Sequence, residues 1–258
     1  MTTVTDTKSA HQPVALVTGS GRRRIGWHVA AALAARGYAV AIHYYRSAES
    51  AAEEVAELRS LGAQAEAFQA DLRDEQQARR LVAEAIAAFG RLDVLVTAAA
   101  IWYPKQLAEL TAADVKEFFE TNTLGTFLCC QHAGLAMARQ AEGGSIVTIG
   151  DWAVERPYLN YAAYFLSKGS IETLTRCLAV ELAGLNPNVR VNCVLPGPVM
   201  LPPDLPPQER EASIRGTLLR REGRPANVVQ AVLHFIENDF VTGACLPVDG
   251  GRTIGPAE

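Results

Sequence analysis

Short apolar runs rich in β-branched residues alternate with longer, alanine-rich amphipathic stretches along nearly the whole chain, and this alternation constrains the fold most. Strands are expected at 14–18, 38–43, 65–69, 92–97, 145–149, 190–194 and 244–248, from continuous apolar character over four to eight residues. Helices are expected between them, at 25–36 and 48–61, ended by Gly37 and Gly62, and at 74–89 behind an acidic cap. Thr111 and Asp114 come close to a capping-box pattern and start a long helix running to about 139. Further helices are expected at 161–182, 208–217 and 225–237. The stretch 196–207 carries six prolines and reads as a loop that cannot join a sheet interior.

Strands separated by helices predict a parallel sheet, and right-handed crossovers put helices on both of its faces. The expected architecture is therefore α/β and doubly wound. No internal repeat or linker divides the chain, so 13–258 reads as one domain behind a short polar tail at 1–12, with the substrate loop at about 196–220. With 258 residues, 49% hydrophobic and 20% charged, the chain can bury a sizeable core. A net charge of −4 offers no bulk attraction to nucleic acid or anionic membrane. No window approaches the ~18 apolar residues of a membrane helix, and the first twelve residues lack the apolar stretch of a secretory signal. These features predict a soluble, cytoplasmic protein. Five cysteines without a C-x-x-C pattern read as buried free thiols, and five histidines without zinc spacing predict no metal.

In such sheets ligands bind at the carboxyl ends of the strands, near the point where strand order reverses. After the first strand comes Thr18-Gly19-Ser20-Gly21-Arg22-Arg23-Arg24-Ile25-Gly26. Glycines there admit close approach of an anion, the following helix offers free N–H groups, and Arg23 and Arg24 add cations suited to phosphate. The turn departs from G-x-G-x-x-G because position 24 is arginine. An acid closing the second strand would select NAD; here the run is His43-Tyr44-Tyr45-Arg46-Ser47. Arg46 and Ser47 suit a 2′-phosphate, which predicts NADPH; the plainer reading of Arg46 is an exposed charge near a cap. Asp71-Leu72 would lie beside an adenine ring, although Asp71 and Asp74 compete as helix caps.

Tyr164 and Lys168 are four apart on one expected helix and so share a face. An ammonium beside a phenol lowers the phenol's pKa and makes it a better proton donor and acceptor near neutrality. The pair follows a strand ending Ile149-Gly150-Asp151.

Together, the Thr18-to-Gly26 turn, Asp71, Asn122, Tyr164 with Lys168, Pro196-Gly197 and Val248-Asp249-Gly250-Gly251 resemble the short-chain dehydrogenase/reductase family over residues 13–252. The resemblance implies a Rossmann-type sheet of seven strands, a nicotinamide cofactor and a homotetramer. It also implies Tyr164 as general acid, Lys168 holding the nicotinamide ribose and tuning Tyr164, and Asn122 ordering a relay water. Ala98 and Pro196-Gly197 would join the cofactor site.

Three positions depart from the family pattern. Asp151 stands where a serine is usual, Thr97-Ala98-Ala99-Ala100 replaces Asn-Asn-Ala-Gly, and the glycine turn carries an extra residue. An ionised carboxylate only accepts hydrogen bonds, which disfavours a simple ketone and suits a substrate with N–H groups. With Arg24-Ile25-Gly26 and the His43-to-Ser47 run, Asp151 resembles the branch of pteridine reductases and dihydromonapterin reductases. That resemblance implies Trp102 stacking on a flat heterocycle, with Arg24, Asp151, Tyr164 and Leu201 also at the substrate; the plainer reading of Trp102 is a core or interface aromatic. The expected function is NADPH-dependent reduction of a C=N bond in a pterin-like ring. A carbonyl reductase of the 3-oxoacyl or sugar type, and a cofactor-binding sensor without turnover, are the competing expectations.

Overall fold

The computed structural model describes residues 11–255, so the tail expected at 1–12 lies almost wholly outside the described residues. The strands are β1 (Val14–Thr18), β2 (Ala39–Tyr44), β3 (Ala65–Gln69), β4 (Val94–Thr97), β5 (Gly144–Ile149), β6 (Val189–Pro196) and β7 (Cys245–Val248). All pair in parallel in the order β3-β2-β1-β4-β5-β6-β7. The chain therefore winds outward from β1 to β3, then returns to the other side of β1. The reversal lies between β1 and β4, which directs the carboxyl ends of those strands toward a ligand crevice.

Successive strand residues face opposite sides, and both sides are covered. Val14 and Leu16 enter one core with Leu81, Leu128, Cys129 and Leu182. Ala15 and Val17 enter the other with Trp27, Leu33, Val55 and Val232. The first face is covered by α3 (Glu75–Phe89), α5 (Gly125–Met137) and α6 (Ala162–Leu185), and the second by α1 (Ile25–Ala34), α2 (Ala48–Ser60) and α8 (Pro225–Glu237). This is why the central strands read as unbroken apolar runs. Pro247 sits on the edge strand β7, where a missing N–H does least harm.

Several expectations change. The helix expected from 111 to about 139 is α4 (Ala112–Phe118) and α5, joined by a π-helical stretch at Phe119–Leu124. Thr111 does form the reciprocal capping box with Asp114. Asp74, not Asp71, caps α3, accepting from the amides of Gln76 and Gln77. Pro196 joins the sheet after all, as the last residue of β6 opposite Val248, and Pro207 opens α7 (Pro207–Arg215). Cys177 is exposed, so not all the thiols are buried. No helix among the described residues is long and apolar enough to cross a membrane.

Candidate active site

At the β1–β4 crevice the backbone comes too close for side chains. Gly19 has φ +65°, and a Cβ there would stand 2.6 Å from the Cα of Ala99 after β4. A Cβ on Gly26 would stand 2.9 Å from the Gly19 carbonyl, so α1 can press its first turn onto the glycine turn. His43 staples that turn: its Nδ1 accepts from the Gly19 amide at 3.0 Å, and its Nε2 lies 3.1 Å from the Ala70 carbonyl. The amide contact fixes Nδ1 as the acceptor, leaving Nε2–H to donate to Ala70. Burial holds the imidazole neutral, with its pKa pushed down to about 4. The Ser20 and Gly21 amides donate to the His43 carbonyl, and Ser47 Oγ donates to the Gly21 carbonyl at 2.8 Å.

The arginines divide their work. Arg23 turns away, pairing with Glu57 on α2 and lying over the Trp27 ring. It does not face the crevice, contrary to the sequence expectation. Arg22 and Arg24 are exposed, and Arg24 stands at the N-cap of α1 with Ile25 next. Close backbone approach, a free helix N-terminus and exposed cations together fit a dinucleotide pyrophosphate. Ser47 commits its hydroxyl proton to the turn, so that hydroxyl is not the free donor to a 2′-phosphate that the sequence suggests. Asp71 has both oxygens on Arg73, at 2.6 to 3.1 Å, which holds its carboxyl below the ordinary range. Leu72 is buried in the core, where a Cβ on Gly125 would touch it, leaving only its backbone for adenosine. Ala98 follows β4 beside Gly19, and Gly197 approaches Asp249 so closely that a Cβ would stand 2.4 Å from the Asp249 Cα.

The reactive groups converge at the ends of β4 and β5. Tyr164 and Lys168 occupy one buried face of α6. The Tyr164 hydroxyl donates to Asp151 Oδ2 at 2.6 Å, while Oδ1 of the same carboxylate accepts from the Ala153 amide at 2.8 Å. Lys168 Nζ donates to the Ile149 carbonyl at 2.8 Å. Burial, and then the Asp151 charge, push the Tyr164 phenol well above its ordinary pKa; burial also raises Asp151 and lowers Lys168. Burial first, and then the carboxylate in direct contact, hold this phenol above its ordinary pKa, the opposite direction to that expected from Lys168 alone. A phenol held protonated is a proton donor rather than a base.

Asn122 is fully buried in the π-helical stretch. Its Oδ1 accepts from the Ile101 amide, and its Nδ2 donates to the Ile101 carbonyl and to Ser167 Oγ. The side chain therefore braces the β4 loop with both of its amide protons, and one lone pair of Oδ1 remains to accept a further hydrogen bond. The wider turn explains why a sequence-expected α-helix breaks there: it aims this amide at Ile101.

Trp102 stacks on Tyr161 at 5.0 Å, inclined by 20°, and Tyr158 meets Tyr161 edge-on. One indole face is therefore already used, and Tyr161 and Tyr158 extend an aromatic wall that sequence spacing did not reveal. Leu201 has its amide tied to Glu222, and Arg210 ties its carbonyl and the Glu222 carboxylate to α7. The structure does not join Leu201 to Asp151 or Trp102.

A family model described as enoyl-(acyl carrier protein) reductase matches residues 20–253. Ketoacyl reductase 2, so named, of the granaticin polyketide synthase from Streptomyces violaceoruber is 38% identical over 95% of this chain and 98% of its own. The chain belongs to the short-chain dehydrogenase/reductase family. Pteridine reductase 1 from Leishmania tarentolae is 33% identical over 96% of this short-chain dehydrogenase/reductase and 99% of its own length. A solved dehydrogenase/reductase from Sinorhizobium meliloti 1021 superimposes with a TM-score of 0.85 at 34% identity, covering 95% and 96% of the two chains. The protein is an oxidoreductase with a Rossmann-type single domain.

Proposed function

We propose that this oxidoreductase uses NADPH to reduce a C=N bond in a flat, pterin-like heterocycle. The observation that carries this reading is the 2.6 Å contact between the Tyr164 hydroxyl and a buried carboxylate at Asp151, where a serine would donate to a ketone. Asp151 accepts from the ring's N–H groups, and the proton of Tyr164, whose raised pKa keeps it loaded at neutral pH, passes through the carboxylate to the C=N nitrogen, the phenolate left behind then taking a proton from solvent. Bound NADPH supplies the hydride to the neighbouring ring carbon. Lys168 holds the end of β5 through Ile149 and contributes fixed positive charge beside the carboxylate. The Trp102–Tyr161 stack provides a flat wall against which a planar ring lies. The match to a pteridine reductase supports the same reading.

The test compares steady-state oxidation of NADPH with dihydrobiopterin or dihydromonapterin against acetoacetyl thioesters. Turnover with the pterins is expected; turnover confined to the thioester would establish instead the carbonyl-reductase reading, which the 38%-identical ketoacyl reductase favours. We further infer a cytoplasmic homotetramer. Leu135 on α5 and Leu166 and Val180 on α6 expose apolar side chains, as a helix-to-helix interface requires, and the thiols are free. Light scattering of the purified protein should return four times the chain mass.

A further inference from the structure

Beyond the glycine turn, the carboxyl ends of β2 and β3 hold a cluster of charge in which one cation, Arg73, has no part in the expected cofactor contacts. Tyr45 and Arg46 follow β2, Asp71 and Arg73 follow β3, and the two strands pair from Val40↔Ala65 to Tyr44↔Gln69. The Tyr45 hydroxyl accepts from two guanidinium groups at once, Arg46 Nη2 at 3.2 Å and Arg73 Nη2 at 3.1 Å. Both guanidiniums also lie against the Tyr45 ring, at 4.7 and 5.6 Å from its centroid. Two like charges are thus held side by side on one neutral oxygen, an arrangement that repels unless an anion bridges it. Asp71 neutralises only Arg73, through two oxygens. Arg46 makes no ion pair among the described residues, and the remaining N–H donors of its planar fork face no carboxylate.

We propose that Arg73 is a second, specificity-determining contact for the cofactor's 2′-phosphate, closing over it from β3 while Arg46 holds it from β2. This rests on the NADPH reading above. The phosphate would sit between the two guanidiniums against Tyr45, giving each cation a charge-assisted partner. Asp71 then has a definite task. It does not take the adenine amino group; it holds Arg73 in place through a two-point contact. Side-chain exposures of 35% for Arg73 and 20% for Asp71 leave the pair reachable from solvent without being part of the core. A Lys at position 73 would keep the charge and lose the fork.

The probe is adenosine 2′,5′-bisphosphate against 5′-AMP, with affinities read by calorimetry so that no turnover is needed. Wild type should prefer the bisphosphate. Arg73→Ala should lower that preference by roughly 10- to 100-fold, the range for one charge-assisted hydrogen-bonding partner, with 5′-AMP affinity unmoved. Arg46→Ala should do the same. Loss of preference in Arg46→Ala but not in Arg73→Ala would overturn the role of Arg73 while sparing the NADPH reading. A wild-type protein indifferent to the 2′-phosphate would instead sink that reading, and this one with it. The double variant Asp71→Asn/Arg73→Ala separates contact from neutralisation. It should bind the bisphosphate as weakly as Arg73→Ala, whereas recovery to wild-type affinity would show that Arg73 only masks Asp71 and would refute the contact.

Discussion

The two halves of the carboxyl edge are built in opposite ways. Over β1 to β3 the ligand-facing cations reach solvent, and the turn is held by backbone amides, one neutral histidine and the hydroxyls of Ser20 and Ser47. Over β4 to β6 the reacting groups are buried: Tyr164, Lys168 and Asn122 are each no more than 5% exposed. Exposed arginines keep ordinary hydration and re-pair readily, so the first half can take up and release an anion. Buried groups have their proton affinities set by their nearest neighbour, so the second half can hold a proton against bulk pH. Binding and proton transfer are thereby separated along one sheet edge.

Removing the proton source tests this separation most severely. Tyr164→Phe should lower kcat by roughly 10²- to 10⁴-fold, the range for a positioned general acid, with the dissociation constant for NADPH unchanged. A parallel loss of cofactor affinity in fluorescence titration would show that the two halves are not independent.

The histidine under the glycine turn gives the next largest effect, and it concerns stability. His43 has a folded-state pKa of about 4 against 6.5 unfolded, so the unfolded chain binds the proton first as pH falls. The stability it contributes is complete above pH 6.5 and is lost between there and pH 4, by about 3 kcal/mol in all. Denaturant melts at stepped pH should show that slope, and His43→Gln should remove most of it. An unchanged slope would place the acid sensitivity in the buried half instead.

Asp151→Ser sharpens the account of the reactive half. It exchanges an acceptor for a donor and should shift the ratio of pterin to ketone turnover toward the ketone by roughly 10- to 100-fold. A ratio that stayed constant would mean the carboxylate does not choose the substrate. The smallest expected effect lies under the exposed half, where Glu54 on α2 is 3% exposed with Oε2 unpartnered. Burial pushes its pKa up to about 7, so its carboxyl is neutral at low pH and destabilises the fold as pH rises from 4.5 through 7. Glu54→Gln should stabilise the protein by about 1–2 kcal/mol at pH 8 and by nothing at pH 4, read from thermal melts.

Much of this was legible beforehand for a definite reason. Strand and helix patterns repeat over many residues, and two covered faces force unbroken apolar central strands, so Val14–Thr18 and the amphipathic helix Pro225–Glu237 could be bounded from the chain alone. Tyr164 and Lys168 share a helix face because four residues make about one turn. The break at Phe119–Leu124 was not legible, because a π-turn leaves no periodic mark. Arg73 carried no local signal either, since a basic residue after an acid is ordinary at any surface, and His43 stood out only as the start of the His43-to-Ser47 run, without its hold on the glycine turn.

What the sequence determined by itself was the set of elements, their parallel winding and the edge on which ligands gather, since these follow from periodicity and chain handedness. Only the tertiary structure decided what each charge does. The phenol of Tyr164 is buried and donates to Asp151, Arg23 is drawn off to Glu57, Asp71 is committed to Arg73, and Asn122 braces Ile101. Each outcome is set by which groups lie within about 3 Å of one another and away from water, where a single contact outweighs everything farther along the chain.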